Sequence, residues 1–131
     1  MDKARDTALK ALIEIETKKA YSNLVLKKLL RSKSLDARDR AFVSELVYGT
    51  VSRKLTLDWI ISQFSKTKLK KISLRVLSIL RLGAYQIMFL DRVPDSAACD
   101  TSVELAKNYA KESSGFVNGI LRNISRNSAE I

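Results

Sequence analysis

Histidine is missing from all 131 residues, cysteine and proline occur once each, and glycine four times. Without histidine the chain lacks the general base of Ser-His-Asp and Cys-His catalysis. A lone Cys99 with no histidine also excludes the common zinc sites, which take several such ligands. One thiol forms no disulfide within the chain, so a reducing cytoplasm is the expected compartment. Acid is scarce as well, with 14 Asp+Glu against 24 Lys+Arg, a formal net charge of +10 and an isoelectric point near 9.9. No apolar run approaches the about 20 residues of a membrane span. The most apolar stretch, 74–90, is interrupted by Arg75, Arg81 and Gln86. The charged opening Met1-Asp2-Lys3-Ala4-Arg5-Asp6 is unlike a secretory leader. These absences exclude many enzymes and favour a module that binds a polyanion.

What remains is helical. At 46% hydrophobic and 29% charged, a chain of this length supports one domain around one core. Ala4, Ala8, Ala11, Leu12 and Ile15 recur at helical steps and predict a helix over 2–17, with Asp2 and Asp6 in its first turn. A short second helix is expected over 22–30 with Leu26, Leu29 and Leu30 inward. Ser34-Leu35-Asp36 offers a cap for a third, carrying Phe42, Val43, Leu46 and Val47 and bent or closely crossed at Gly49. A fourth over 52–64 is expected to bury Leu55, Trp59 and Ile60. Ser73 opens a fifth, apolar almost all round, with a narrow polar stripe of Lys71, Arg75, Ser78 and Gln86; it is the expected central helix. Pro94 breaks the chain, Asp95 or Ser96 caps a sixth helix, and a polar break at 111–115 precedes a seventh with Phe116, Val117, Ile120, Leu121 and Ile124. No alternating strand pattern and no internal repeat is found, so the expected class is all-α with about seven helices.

The charge is sorted along the chain. Residues 59–90 hold no acid but contain Lys66, Lys68, Lys70, Lys71, Arg75 and Arg81; residues 17–35 hold none but contain Lys18, Lys19, Lys27, Lys28, Arg31 and Lys33. Residues 91–104 carry four acids against Arg92 alone. Basic faces of this kind bind phosphates by releasing counterions, and the binding weakens steeply with salt. Other features have plainer readings. Asp36, Asp39 and Glu45 read as caps and surface ion pairs. Cys99 reads as a small core residue, and Gly115 with Gly119 as helix packing or a tight helix start rather than a phosphate loop. Trp59, Tyr48 and Tyr85 read as core, while Tyr21 and Phe116 stand at helix edges where a base could stack. A DNA-binding helix-turn-helix is not evident.

Four segments carry a resemblance. These are 80–86 (Leu-Arg-Leu-Gly-Ala-Tyr-Gln), 89–94 (Phe-Leu-Asp-Arg-Val-Pro), 103–107 (Val-Glu-Leu-Ala-Lys) and 116–122 (Phe-Val-Asn-Gly-Ile-Leu-Arg). In this order and spacing they resemble the NusB-like RNA-binding domain, from Ala4-Arg5 to Arg126. Ala20-Tyr21-Ser22-Asn23-Leu24, Leu46 to Val51, and Leu57-Asp58-Trp59-Ile60 look like the N-terminal domain of the 16S rRNA cytosine-5 methyltransferases (RsmB/Sun family). So does the ending Leu121 to Arg126, where NusB itself carries an acidic residue near Arg122.

The resemblance implies a single NusB-like domain over 1–131. Residues 126–131 begin a linker to a methyltransferase domain that uses S-adenosylmethionine, and this 131-residue chain is not itself an enzyme. It implies RNA contacts at Arg5 and at Phe116 with Asn118, with Lys3 as a basic neighbour; from the charge pattern Lys68, Lys70, Lys71 and Arg75 could supply charge elsewhere, and Arg122 completes the candidate RNA-binding residues. Only Lys3 and Arg5 stand where NusB has a dense arginine cluster, which weakens the case for an antitermination RNA element. The implied partners are 16S rRNA and the methyltransferase domain in cis. The alternative is a free-standing antitermination factor that binds RNA and ribosomal protein S10, or pairs with itself, and the acidic stretch 91–104 would suit a basic partner.

Overall fold

The computed structural model describes residues 2–31 and 34–131. Among the described residues seven α-helices follow in order: α1 (Lys3–Lys18), α2 (Ser22–Leu29), α3 (Ala37–Ser52), α4 (Lys54–Phe64), α5 (Leu74–Phe89), α6 (Asp95–Tyr109) and α7 (Ser114–Arg126). Short 3-10 turns lie at Leu69–Lys71, Lys111–Ser113 and Ser128–Glu130, and no strand is present among these residues. Lys33, counted in the basic stretch 17–35, lies outside the described residues.

Local chemistry starts three of the helices. The carboxylate of Asp2 accepts the Arg5 N–H, that of Asp36 accepts the Asp39 N–H, and the Ser73 hydroxyl accepts the Val76 N–H, each satisfying a donor that the helix leaves free. α6 starts differently. Pro94 occupies the cap position with no side-chain bond, and Asp95 instead accepts a hydrogen bond from the Ser125 hydroxyl at 2.6 Å. The expected Asp95 or Ser96 cap is therefore replaced by a tie between α6 and α7.

α5 is the hub. It packs against α1, α3, α4, α6 and α7, and every residue from Val76 to Gln86 is buried. The expected polar stripe is thereby corrected: Lys71 and Arg75 are exposed, whereas Ser78 and Gln86 lie inside the bundle. Gly49 is the close crossing and not a bend. α3 runs through it, and a Cβ there would collide with the Tyr85 ring. Gly83 lets α5 approach Leu121 of α7 and Ser102 of α6 in the same way.

α4 buries Ile60 as expected but otherwise turns a different face inward. Leu57, Ile60 and Ile61 are buried, while Leu55 is 83% and Trp59 57% exposed. Apolar residues recur at four-residue steps on both sides of this helix, so periodicity alone does not choose between them. Asp58 settles the choice by pairing with Arg81 on α5 at 2.7 Å and 3.0 Å. In α2, Val25 joins Leu26 in the core, while Leu29 and Leu30 are only half-buried.

Candidate nucleic-acid interface

The chain between α4 and α5 is pinned by its apolar residues and opened by its lysines. Leu69 and Ile72 pack against the core, and the Ser65 hydroxyl donates to the Thr67 carbonyl at 2.6 Å and accepts the Thr67 N–H at 3.1 Å. Lys68, Lys70 and Lys71 are left exposed, with no ion pair among the described residues. Arg75, exposed in the first turn of α5, makes only a long bond to the Tyr109 carbonyl at 3.5 Å. Such cations keep their hydration and their charge for an incoming phosphate.

Two grooves flank this start of α5. One is lined by Thr67, Lys71, Ser73, Ala110, Glu112 and Phe116, and so brings the lysine loop to the start of α7. The other is lined by Lys10, Glu14, Lys18, Leu29, Arg75 and Tyr109, and joins α5 to α1. The Tyr109 hydroxyl donates to the Asp6 carboxylate and clamps the end of α6 onto α1. Burial, then this bond to a carboxylate, pushes the Tyr109 phenol up to about 12. Asp6 also pairs with Lys10 at 3.1 Å, and Lys3 lies one turn before it on the same helix row. The Lys28 ammonium, bonded at 2.5 Å, holds the Glu14 carboxyl below its ordinary range.

The candidate residues thus fall into two groups, with Arg5 in neither. Lys71 and Phe116 meet in one groove and Arg75 opens the other, with Lys68 and Lys70 on the adjoining loop and Lys3 on the α1 row. Asn118 and Arg122 lie on the other side of α7. There Arg122 donates to Asn118 at 3.1 Å and to Asp100 of α6 at 2.8 Å. Arg5 is turned inward and is only 9% exposed. Its guanidinium donates to the Gln86 side-chain oxygen at 2.7 Å and to Asp2 at 2.6 Å, and it lies 5.1 Å from the Phe42 ring centre. Lys10 and Tyr109 are additions to the surface that sequence reasoning missed; the spacing Lys3, Asp6, Lys10 was the available signal.

Other readings are revised or kept by the structure. Trp59 and Tyr48, expected in the core, are exposed, whereas Tyr85 is buried and stacks on Phe89 at 5.9 Å. Tyr21 is exposed at the start of α2. Gly115 and Gly119 have open space where a Cβ would stand, so packing does not account for them. Cys99 is buried, and that burial pushes its thiol up. Asp36 caps α3, and Glu45 pairs with Arg92. Among the described residues no cluster of His, Cys, Asp or Glu could hold a metal ion, and no helix is long and apolar enough to cross a membrane.

Comparison with known proteins matches residues 2–126 to the family model described as "NusB family". The probable ribosomal RNA small subunit methyltransferase B of Bacillus subtilis (strain 168) is 44% identical over 123 residues, covering 93% of this chain and 27% of that protein. The chain therefore spans about a quarter of the length of this relative. The transcription antitermination protein NusB of Ruminiclostridium cellulolyticum is 35% identical over 125 residues, covering 94% of this chain and 86% of that protein. Among solved structures, antitermination factors NusB and NusE in complex with dsRNA match with a TM-score of 0.84 at 27% identity, covering 94% of this chain and 93% of that one.

Proposed function

The chain belongs to the NusB family, and on that premise we propose that it docks ribosomal RNA of the small subunit for a methyltransferase domain joined to it in cis. In this reading the chain contributes binding and orientation. The cytosine-5 transfer, with S-adenosylmethionine, belongs to the joined domain. The observation that carries it is the set of exposed cations Lys68, Lys70 and Lys71, without ion pairs among the described residues, which leads into Arg75 of α5 and meets Phe116 of α7 at Lys71. The cations would supply the salt-dependent, sequence-independent share of affinity, and Phe116, partly buried, would offer its remaining surface to an unpaired base. The likeness to a methyltransferase B over 93% of the chain supports the particular RNA.

The test is binding of the protein to a small-subunit rRNA hairpin across a salt series. Affinity should fall steeply with salt, and Lys70→Ala should lower the salt slope by roughly one. Binding that ignores salt, or no binding at low salt, overturns the proposal.

The second reading, a free-standing antitermination factor, is favoured by the 86% coverage of the R. cellulolyticum protein. It expects recovery of ribosomal protein S10 by the protein in the absence of RNA. Failure of that recovery, with rRNA binding intact, counts for the first reading.

A further inference from the structure

Exposed charge is spread along this +10 chain, but the outer face of α4 carries none. Leu55, Thr56, Trp59, Ser62 and Gln63 are all exposed there, and none carries a charge. The two charged side chains on the helix are already engaged, Lys54 with Glu16 at 2.5 Å and Asp58 with Arg81. Leu55 and Trp59 stand four residues apart, hence on one stripe. Such a face offers a phosphate backbone no free cation. An exposed aromatic and aliphatic pair is what a polypeptide partner covers.

The position of the last residue identifies which polypeptide. Trp59, Gln63 and Phe64 form a groove with Asn127, Glu130 and Ile131. Any residue joined to Ile131 therefore starts at the edge of the Trp59 stripe. A segment tethered there reaches the stripe at a high effective concentration. Methyltransferase relatives supply the length: the chain matches 27% of one such protein, in its N-terminal part.

We propose that the Leu55–Trp59 face of α4 is the seam on which an apolar segment C-terminal to Ile131 packs in the longer protein, fixing this domain against the one that follows. The inference rests on the methyltransferase reading above. It adds a location for the junction, on a surface separate from the cationic grooves at the start of α5.

The experiment compares the protein expressed from its complete reading frame with residues 1–131. Trp59 is the only tryptophan in the 131 residues, so with any tryptophan beyond Ile131 replaced by phenylalanine it reports alone on this face. Acrylamide should quench Trp59 several-fold less in the longer protein, and amide exchange across 54–64 should slow in parallel. Leu55→Ser should leave the melting of residues 1–131 unchanged and should increase protease cleavage after Ile131 in the longer protein. Equal quenching in the two forms, or a frame that stops at Ile131, overturns the seam.

Methyl transfer to small-subunit rRNA, assayed on the same longer protein, separates the two claims. Transfer with Trp59 still exposed removes the seam and keeps the reading. Absence of transfer with Trp59 shielded removes the reading and keeps the seam.

Discussion

Toward its C-terminal end α5 gives its side chains to its neighbours. Tyr85 lies where Gly49 has no side chain, and the Gln86 oxygen takes the Arg5 guanidinium while its amide donates to the Leu82 carbonyl at 3.0 Å. At its N-terminal end the same helix, with the loop before it, leaves Lys68, Lys70, Lys71 and Arg75 in solvent. The difference teaches that a net charge of +10 is not one property. Arg5 and Arg81 are desolvated and paired, and so belong to the architecture. The lysines keep their water and remain available to a polyanion. Net charge is legible in a sequence, but its division between these two uses is set by burial.

The comparison can be broken most severely at the packed end. Gly49→Ala puts a methyl group into the Tyr85 ring, and we expect a loss of about 3 kcal/mol in urea unfolding, at the upper end for overpacking. Gln86→Leu removes one of the two acceptors of the buried Arg5 guanidinium, leaving Asp2, and should cost about 2 kcal/mol by the same measurement, with the RNA salt slope unchanged. On the exposed side of α7 the sign changes. Gly119→Ala meets empty space within a helix and should raise stability by about 1 kcal/mol.

Tyr109, beside Arg75 at the open end, gives the comparison a pH dependence. Its folded pKa lies above its unfolded value, so the unfolded chain loses the phenol proton first. The stabilisation is complete below pH 10 and falls as the pH rises toward about 12. Thermal melts at successive alkaline pH values should show that decline, and Tyr109→Phe should flatten it. Lys71→Ala is the smallest change: stability should stay within about 0.5 kcal/mol of the parent, while the RNA salt slope drops by roughly one. A Lys71→Ala variant that unfolds easily, or a Gln86→Leu variant that changes the salt slope, would erase the distinction between the two ends.

Much of the fold was legible because it is written locally. Asp2, Asp36 and Ser73 announce their helices within three residues, and the all-round apolar character of 74–90 marks the central helix. The misreadings arose where a remote partner decides. Asp2 lies three residues from Arg5, but the second acceptor, Gln86, is 81 positions away, and no local signal reveals that the guanidinium is buried. Leu55 and Trp59 have the spacing of a buried face, and only Asp58 meeting Arg81 turns the helix the other way. Arg122, a candidate RNA contact, is paired on the surface with Asp100 of α6, a partner that its own helix does not announce. The lysine loop was read directly from its composition, because exposed charge needs no partner to hold it.

The crossing of α3 and α5 also bears on how such a chain can drift. Gly49 and Tyr85 share a single volume, one side chain filling the place the other leaves empty. A larger residue at 49 is tolerable only after the ring at 85 has gone, and a smaller residue at 85 leaves a hole until 49 grows. The two positions therefore behave as one inherited unit, and paired substitution such as Gly49→Ala with Tyr85→Leu is the route by which this crossing can change its sequence and keep its spacing.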